Sequence, residues 1–154
     1  MGRLIPSFLI AGIVGIGFIV WALVYGASPG YEVPRETEIF DVVEGTWAWT
    51  TTEDGCAGEP QGISFSSDRD QMFVTRLAEA PDSTGSRKSR STYDVLDHSR
   101  SHIRGLIVGE TRLTEKGEPV VWDLVLLSED AFAWHRTDWS DYVLTESLRR
   151  CPEP

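Results

Sequence analysis

The feature that most constrains this chain is a run of 22 uncharged, mostly apolar residues from Leu4 to Tyr25. As an α-helix this run would be about 33 Å long, which is enough to cross a hydrocarbon core of about 30 Å. Pro6 would lie in the first helical turn, where a missing N–H costs little, and Trp21 would lie near the far membrane interface. The run therefore predicts one transmembrane helix over residues 4–27.

Two interpretations of this run are open, an uncleaved anchor and a cleaved signal peptide. Signal peptides have an apolar region of about 7–15 residues followed by small residues at the cleavage site. Here the apolar run is longer, and Tyr25 stands where a small residue is needed before Gly26-Ala27-Ser28. The sequence favours the uncleaved anchor.

The charges around the predicted helix indicate its orientation. Arg3 precedes the helix, and the net acidic stretch YEVPRETE follows it. By the positive-inside rule, residues 1–3 lie in the cytoplasm and the rest of the chain lies outside. In a bacterium, this places the protein in the inner membrane with its C-terminal domain in the periplasm.

Small side chains fall along one face of the predicted helix, at Ala11, Gly15, Ala22 and Gly26. Faces of this kind let two helices approach closely in lipid, which predicts that another membrane protein packs against this one. The alternative is that Gly and Ala are simply common in membrane spans.

The charge balance and the cysteine count limit the partners and cofactors of the chain. It has 24 Asp and Glu against 14 Lys and Arg, a formal net charge of −10. This balance argues against a nucleic-acid partner and against docking on anionic lipid through a basic surface. Two cysteines cannot form a four-cysteine zinc site, and His98 and His102, four positions apart on strand-like sequence, would be about 13 Å apart and too far to share one metal ion. We therefore expect no metal and no cofactor.

Residues 28–39 contain two prolines, a glycine and alternating charges, and predict a linker before a domain over 40–152. That domain alternates strand-like segments with turn-forming ones, and no sustained helical periodicity follows residue 30. The predicted strands are 44–52, 61–67, 70–77, 91–98, 102–114, 119–127, 131–137 and 142–149. Eight strands at about 13 residues each predict an all-β, antiparallel up-and-down barrel.

The two cysteines flank this predicted barrel. Cys56 follows the first strand and Cys151 follows the last, and these strands are neighbours in a closed barrel. A disulfide between them would stabilise the fold by about 4–5 kcal/mol and would require an oxidising compartment, in agreement with the orientation above. The alternative, a reactive thiol pair, lacks an activating motif nearby.

Two motifs resemble those of lipocalins. Gly45-Thr46-Trp47, after Phe40-Asp41, is similar to the Gly-x-Trp signature of the first lipocalin strand, and Thr137-Asp138 is similar to a late turn signature ending in Tyr142. The resemblance implies that Trp47 plugs one end of the barrel and that Arg149 or Arg150 stacks over it.

Three hypotheses for function follow, in order of preference. The first is a non-catalytic accessory subunit of a membrane assembly. The second, implied by the lipocalin resemblance, is a binder of a small apolar ligand. The third is an enzyme that uses the segment from His135 to Asp138 with Glu110, Arg112 and Asp123 nearby. The candidate ligand-binding residues are Trp47, Phe65, Phe73, Trp122, Trp134, His135 and Arg136.

Overall fold

The computed structural model describes residues 31–52, 54–77, 90–140 and 143–152. They form a closed antiparallel barrel in which each strand pairs with the next one along the chain and the last pairs with the first. The strands are β1 (Gly45–Trp49), β2 (Gln61–Phe65), β3 (Gln71–Arg76), β4 (Arg90–His98), β5 (His102–Ile107), β6 (Val121–Ser128), β7 (Ala131–Arg136) and β8 (Ser147–Arg150). The predicted eight-stranded up-and-down barrel is confirmed.

Two short helices, α1 (Ile39–Val43) and α2 (Gly55–Gly58), accompany the strands and were not predicted. They contain 5 and 4 residues, so neither is long enough to show a helical repeat in the sequence. Helix α1 precedes β1 and helix α2 follows it.

The predicted bounds of two strands are wrong. The strand predicted over 102–114 ends at Ile107, because Gly109 adopts a φ of +77° and turns the chain into a separate hairpin. That hairpin is closed by the bridge between Leu113 and Pro119. The strand predicted over 142–149 begins only at Ser147.

The barrel has two different ends, which we call the closed end and the open end. The closed end carries α1 and the short β2–β3, β4–β5 and β6–β7 connections. The open end carries the longer β1–β2, β3–β4, β5–β6 and β7–β8 connections. Phe40 and Val43 of α1 are buried beside Trp47 and cover the closed end.

Large side chains fill the centre of the barrel. Trp47 and Phe132 are fully buried and meet edge to face, with ring centroids 4.8 Å apart. The Trp47 indole N–H donates to the carbonyl oxygen of Val43 at 2.9 Å, which links the first strand to α1. The other fully buried side chains around them are Met72, Ile103, Leu124, Leu126 and Leu148. The interior is therefore a packed core.

The segment before α1 lies against the barrel. The backbone N–H of Tyr31 donates to Leu126 at 3.2 Å, and that of Val33 donates to Arg100 at 3.0 Å. Val33 is fully buried. The described part of the predicted linker, from residue 31 onward, is thus bound to the barrel, and its last residue, Ile39, begins α1. The chain enters the domain at the closed end.

Cys56 and Cys151 form a disulfide, with their Cα atoms 5.6 Å apart, as predicted. Cys151 directly follows β8, and its backbone N–H donates to Thr46 on β1 at 2.8 Å. Helix α2 carries Cys56 back to this seam. The disulfide therefore fastens the two strands that close the barrel.

Within the described ranges, no helix has the length and apolar character needed to span a membrane. The predicted span over residues 4–27, with its small-residue positions Ala11, Gly15, Ala22 and Gly26, lies outside these ranges.

Candidate functional site

The open end contains a group of aromatic and arginine side chains, which we call the mouth cluster. Its members are Tyr93, Arg112, Trp122, Trp134, Arg136 and Trp139. Trp122 pairs with Arg136 across β6 and β7, and Leu124 pairs with Trp134. Because alternate strand residues point to one face, the buried Leu124 places all four side chains on the inner face of the barrel.

The rings of the mouth cluster stack on one another. Tyr93 lies parallel to Trp134, with centroids 5.3 Å apart and planes 14° apart. Trp122 meets Trp134 edge to face at 6.4 Å and Trp139 edge to face at 5.8 Å. The cluster therefore extends the apolar core as far as the mouth of the barrel.

Each arginine of the cluster lies near a ring and is neutralised by its own carboxylate. The Arg112 guanidinium is 5.7 Å from the Trp122 centroid and donates to Glu110 at 2.9 and 2.6 Å. The Arg136 guanidinium is 5.5 Å from the Trp139 centroid and donates to Asp138 at 3.0 and 2.8 Å. These bidentate pairs leave the mouth with little free positive charge.

The ion pair and the burial at the mouth shift pKa values, and the hydrogen bond with Glu110 raises that of Arg112. Hydrogen bonding from Arg112 lowers the pKa of Glu110 to about 2. Burial raises the pKa of Tyr93 to about 12, with a smaller opposing effect of Arg112. At neutral pH the mouth therefore holds an ionised Glu110 and a neutral Tyr93.

A groove of about 890 Å³ lies beside the cluster, between the β5–β6 hairpin and the turn after β7. We call it the mouth groove. Its apolar lining comes from Leu106, Leu113, Pro119, Val121 and Trp139. Its charged lining comes from Glu115, Lys116, Glu118, Arg136 and Asp138. The groove is large enough for several side chains of a partner.

The structure brings together three of the seven candidate ligand-binding residues, Trp122, Trp134 and Arg136. Two others lie toward the closed end. Trp47 is in the core there, and Phe65 packs edge to face on Phe40 at 5.0 Å.

The remaining two candidates lie on the outer face of the barrel. Phe73 alternates with the buried Met72, and its ring lies 3.7 Å below the Arg90 guanidinium. His135 alternates with the buried Trp134. The seven candidate residues therefore do not form one apolar ligand site, because strand alternation and strand direction place them on different faces and at different ends of the barrel.

The polar groups named for the enzyme hypothesis are engaged with other partners. The His135 ring nitrogen Nδ1 is 2.9 Å from the carbonyl oxygen of Val143, while Asp138 accepts both hydrogen bonds of Arg136. Asp123 accepts from Arg104 at 2.8 and 2.9 Å. The geometry thus pairs each carboxylate with an arginine.

The ligand-binding candidates chosen from the sequence do not include Tyr93 and Trp139, and the strand predicted over 102–114 joins β5 to the hairpin that forms one wall of the groove. The signal for the hairpin was present in Gly109 and Gly117, both of which adopt positive φ. Tyr93 gave no local signal, since its role depends on Trp134, which lies on another strand.

The arginine stack implied by the lipocalin resemblance is present. The Arg150 guanidinium lies over the Trp47 ring, with its central carbon 4.3 Å from the centroid. Arg149 lies on the opposite face, next to Gly55 of α2. Strand alternation therefore selects Arg150 from the two candidates.

No protein-family model matches the sequence, and no curated protein matches it. Among solved structures, the chain is similar to pallilysin (Tp0751) of Treponema pallidum, with a TM-score of 0.40 and 8% sequence identity. That similarity covers 90% of this chain and 99% of the pallilysin chain.

Proposed function

We propose that this protein is a membrane-anchored, non-catalytic interaction domain, an accessory subunit of a membrane protein assembly. In this proposal residues 4–27 anchor the chain in the inner membrane, and the barrel stands on the periplasmic side. The open end is displayed to a partner protein. One observation carries the proposal: the chain enters the barrel at the end opposite to most of its exposed large apolar side chains.

The point of entry determines which end would face the bilayer. Tyr31 is bound to the barrel near the closed end, only four positions after residue 27, where the predicted helix ends. A strand of six residues rises about 20 Å. The open end would therefore stand about 20 Å or more above the lipid, in reach of a partner rather than of the bilayer.

Exposed apolar side chains are concentrated at the open end. Six large apolar residues are exposed in the described part of the chain, and four of them belong to open-end connections: Leu77, Val108, Leu113 and Val143. An end that carries most of the exposed large apolar side chains is a candidate for a protein-contact surface. Together with the mouth cluster, they give the open end the composition of an interface.

The anchor itself is tested by extraction of the full chain. An integral membrane protein stays in the membrane fraction through an alkaline wash, and its intact mass includes residues 1–30. Release by the wash, or a mature chain that begins near Ala27, would contradict the anchoring. Protease access from the periplasmic side of spheroplasts tests the orientation.

The contact with a partner is tested by photo-crosslinking in native membranes. A photoreactive side chain at Leu113 or Val143 is expected to give discrete adducts, whereas the same group at Glu36, on the closed end, is not. Equal labelling from both ends would contradict the proposed display.

The predicted helix contact is tested by enlarging its small face. Gly15→Leu and Ala22→Leu should reduce recovery of the cross-linked partner, because larger side chains hold the two helices apart. Gly17→Leu is the matched control, since Gly17 lies on the opposite side of an ideal helix. Unchanged recovery with all three variants would exclude the helix contact.

The stacked rings at the mouth favour binding of a small apolar ligand as a second candidate. Trp122 and Trp139 are half-buried at the open end, meet edge to face and would supply flat apolar contacts there. Titration with the fluorescent probe 1-anilinonaphthalene-8-sulfonate tests it. Binding that is lost in Trp122→Ala would support this candidate, and unchanged or absent binding would exclude it.

A further inference from the structure

We propose that the mouth groove binds a short segment of the partner protein in which an apolar side chain stands beside a lysine or arginine. This inference rests on the proposed function and specifies the chemistry of the partner. It follows from the floor of the groove, from its rim charges and from the position of the groove relative to the chain entry.

The floor of the groove is an apolar surface on the outer face of the barrel. Leu106 and Val121 pair across β5 and β6, and they alternate with the inward-facing Gly105 and Trp122. Leu113, 60% exposed, forms part of the opposite wall on the hairpin. An apolar side chain of a partner would remove these surfaces from water, which is favourable in proportion to the apolar area buried.

The rim of the groove selects for a positive charge. The side chains of Glu115 and Glu118 are exposed and form no ion pair within the described residues, while Lys116 provides one opposing charge. The positive charge of Arg136 does not offset these two negative charges, because its guanidinium donates two hydrogen bonds to Asp138. A lysine or arginine that follows the apolar side chain would therefore find an unpaired carboxylate.

The same charges favour a protein segment over a lipid headgroup as the occupant. Phosphate-bearing headgroups are anionic and would be repelled by Glu115 and Glu118. The groove also belongs to the open end, which points away from the closed end where the chain enters. Both observations identify a protein partner.

The test is a titration of the full chain in detergent with two capped peptides of equal apolar content. The basic probe is acetyl-Leu-Lys-Leu-Lys-Leu-amide, and the acidic probe is acetyl-Leu-Glu-Leu-Glu-Leu-amide. Binding is measured by calorimetry and by the amide shifts of Leu106 and Val121. We expect the basic peptide to bind about tenfold or more tightly, with an affinity that falls as salt is added.

Substitutions in the groove test whether its residues cause the preference for the basic peptide. Glu115→Gln combined with Glu118→Gln should reduce the preference for the basic peptide to about threefold or less. Leu113→Ser should weaken the binding of both peptides, because it removes part of the apolar wall. The matched control is Glu36→Gln, an exposed carboxylate at the closed end, which should leave both affinities unchanged.

Equal affinity for the two peptides, or no binding of either, would overturn the proposal. Shifts of the Leu106 and Val121 amides caused by a short-chain anionic phospholipid alone, at concentrations where the basic peptide causes none, would also overturn it, in favour of a lipid occupant. These failures are distinct from failure of the proposed function. If a photoreactive group at Leu113 forms adducts in native membranes but the two peptides bind equally well, the proposed display of the open end stands and only the inferred chemistry of the partner fails. If the chain has no membrane anchor, the alkaline wash alone detects it.

Discussion

The guanidinium of Arg150 lies over the indole ring of Trp47, with its central carbon 4.3 Å from the ring centroid. The same guanidinium donates to the carbonyl oxygens of Val42 and Glu44, the latter at 3.2 Å, and faces the Asp130 carboxylate at 3.4 Å. A residue of the last strand thereby joins α1, the first strand and the β6–β7 turn at the closed end.

Removing this guanidinium should destabilise the barrel. Arg150→Ala is expected to lower the free energy of unfolding by about 2–3 kcal/mol, because a cation–π contact, an exposed ion pair and three hydrogen bonds to backbone carbonyl oxygens are lost. Urea unfolding provides the measurement. Arg149→Ala is the control, with an expected loss of about 0.5 kcal/mol or less. Equal losses for the two variants would show that the stack contributes nothing specific.

The disulfide should contribute a large part of the stability. Its cysteines are 95 positions apart, and replacing both Cys56 and Cys151 with alanine should cost about 2–5 kcal/mol. A reducing agent should lower the thermal midpoint of the natural protein and leave that of the double variant unchanged. A reductant effect of equal size on both would mean that the disulfide is not responsible.

The two tryptophans Trp47 and Trp122 should respond differently to replacement by phenylalanine. Trp47 donates its N–H to Val43 at 2.9 Å, whereas the buried Nε1 of Trp122 has no hydrogen-bond acceptor among the described residues. We expect Trp47→Phe to cost about 2–3 kcal/mol, since a cavity and an unpaired carbonyl remain. Trp122→Phe should cost about 1 kcal/mol or less, because it removes an unsatisfied donor. The reverse order in denaturant unfolding would refute this explanation.

The burial of Tyr93 predicts a loss of stability in alkali. Its pKa rises from 10.0 to about 12 on folding, so the folded state keeps its proton where the unfolded state loses it. The contribution to stability is complete below pH 10 and disappears as the pH rises to about 12. Tyr93→Phe should make the unfolding free energy less dependent on pH in this window. Parallel pH profiles for the two proteins would contradict the prediction.

The ion pair of Glu110 with Arg112 predicts the opposite behaviour in acid. The pKa of Glu110 falls from 4.5 to about 2 on folding, so its contribution is complete above pH 4.5 and is lost toward pH 2. Glu110→Gln should flatten the stability profile in this window. Glu118→Gln, in the same hairpin but without an ion pair among the described residues, is the control. Acid unfolding followed by circular dichroism tests both.

Much of the fold could be predicted from local patterns. Alternation of apolar and polar residues located all eight strands, and the positions of Cys56 and Cys151 relative to the first and last strands predicted the disulfide. The ends of the strands were less accurate, since β5 stops at Ile107 and β8 begins at Ser147. These ends depend on how turns pack against neighbouring strands, which a local pattern does not record.

The candidate site was predicted less completely than the fold. The pattern identified Trp122, Trp134 and Arg136 as binding candidates, but it grouped them with Phe73, which lies on the outer face. A shift of one residue in strand register moves a side chain to the opposite face, and register is fixed by pairing with distant strands. For the same reason, the sequence left Arg149 and Arg150 as equal candidates for the stack on Trp47.

The sequence by itself determined the period of the strands, their number and order, and the pairing of the cysteines, because these follow from residue-by-residue alternation and from position along the chain. The tertiary structure alone decided which side chains meet. Tyr93 stacks on Trp134, Glu115 and Glu118 border an apolar groove, and the chain enters at the end opposite to that groove. The physical reason is that closing the barrel brings residues from distant strands into contact, and the register of pairing chooses the face on which each one lies.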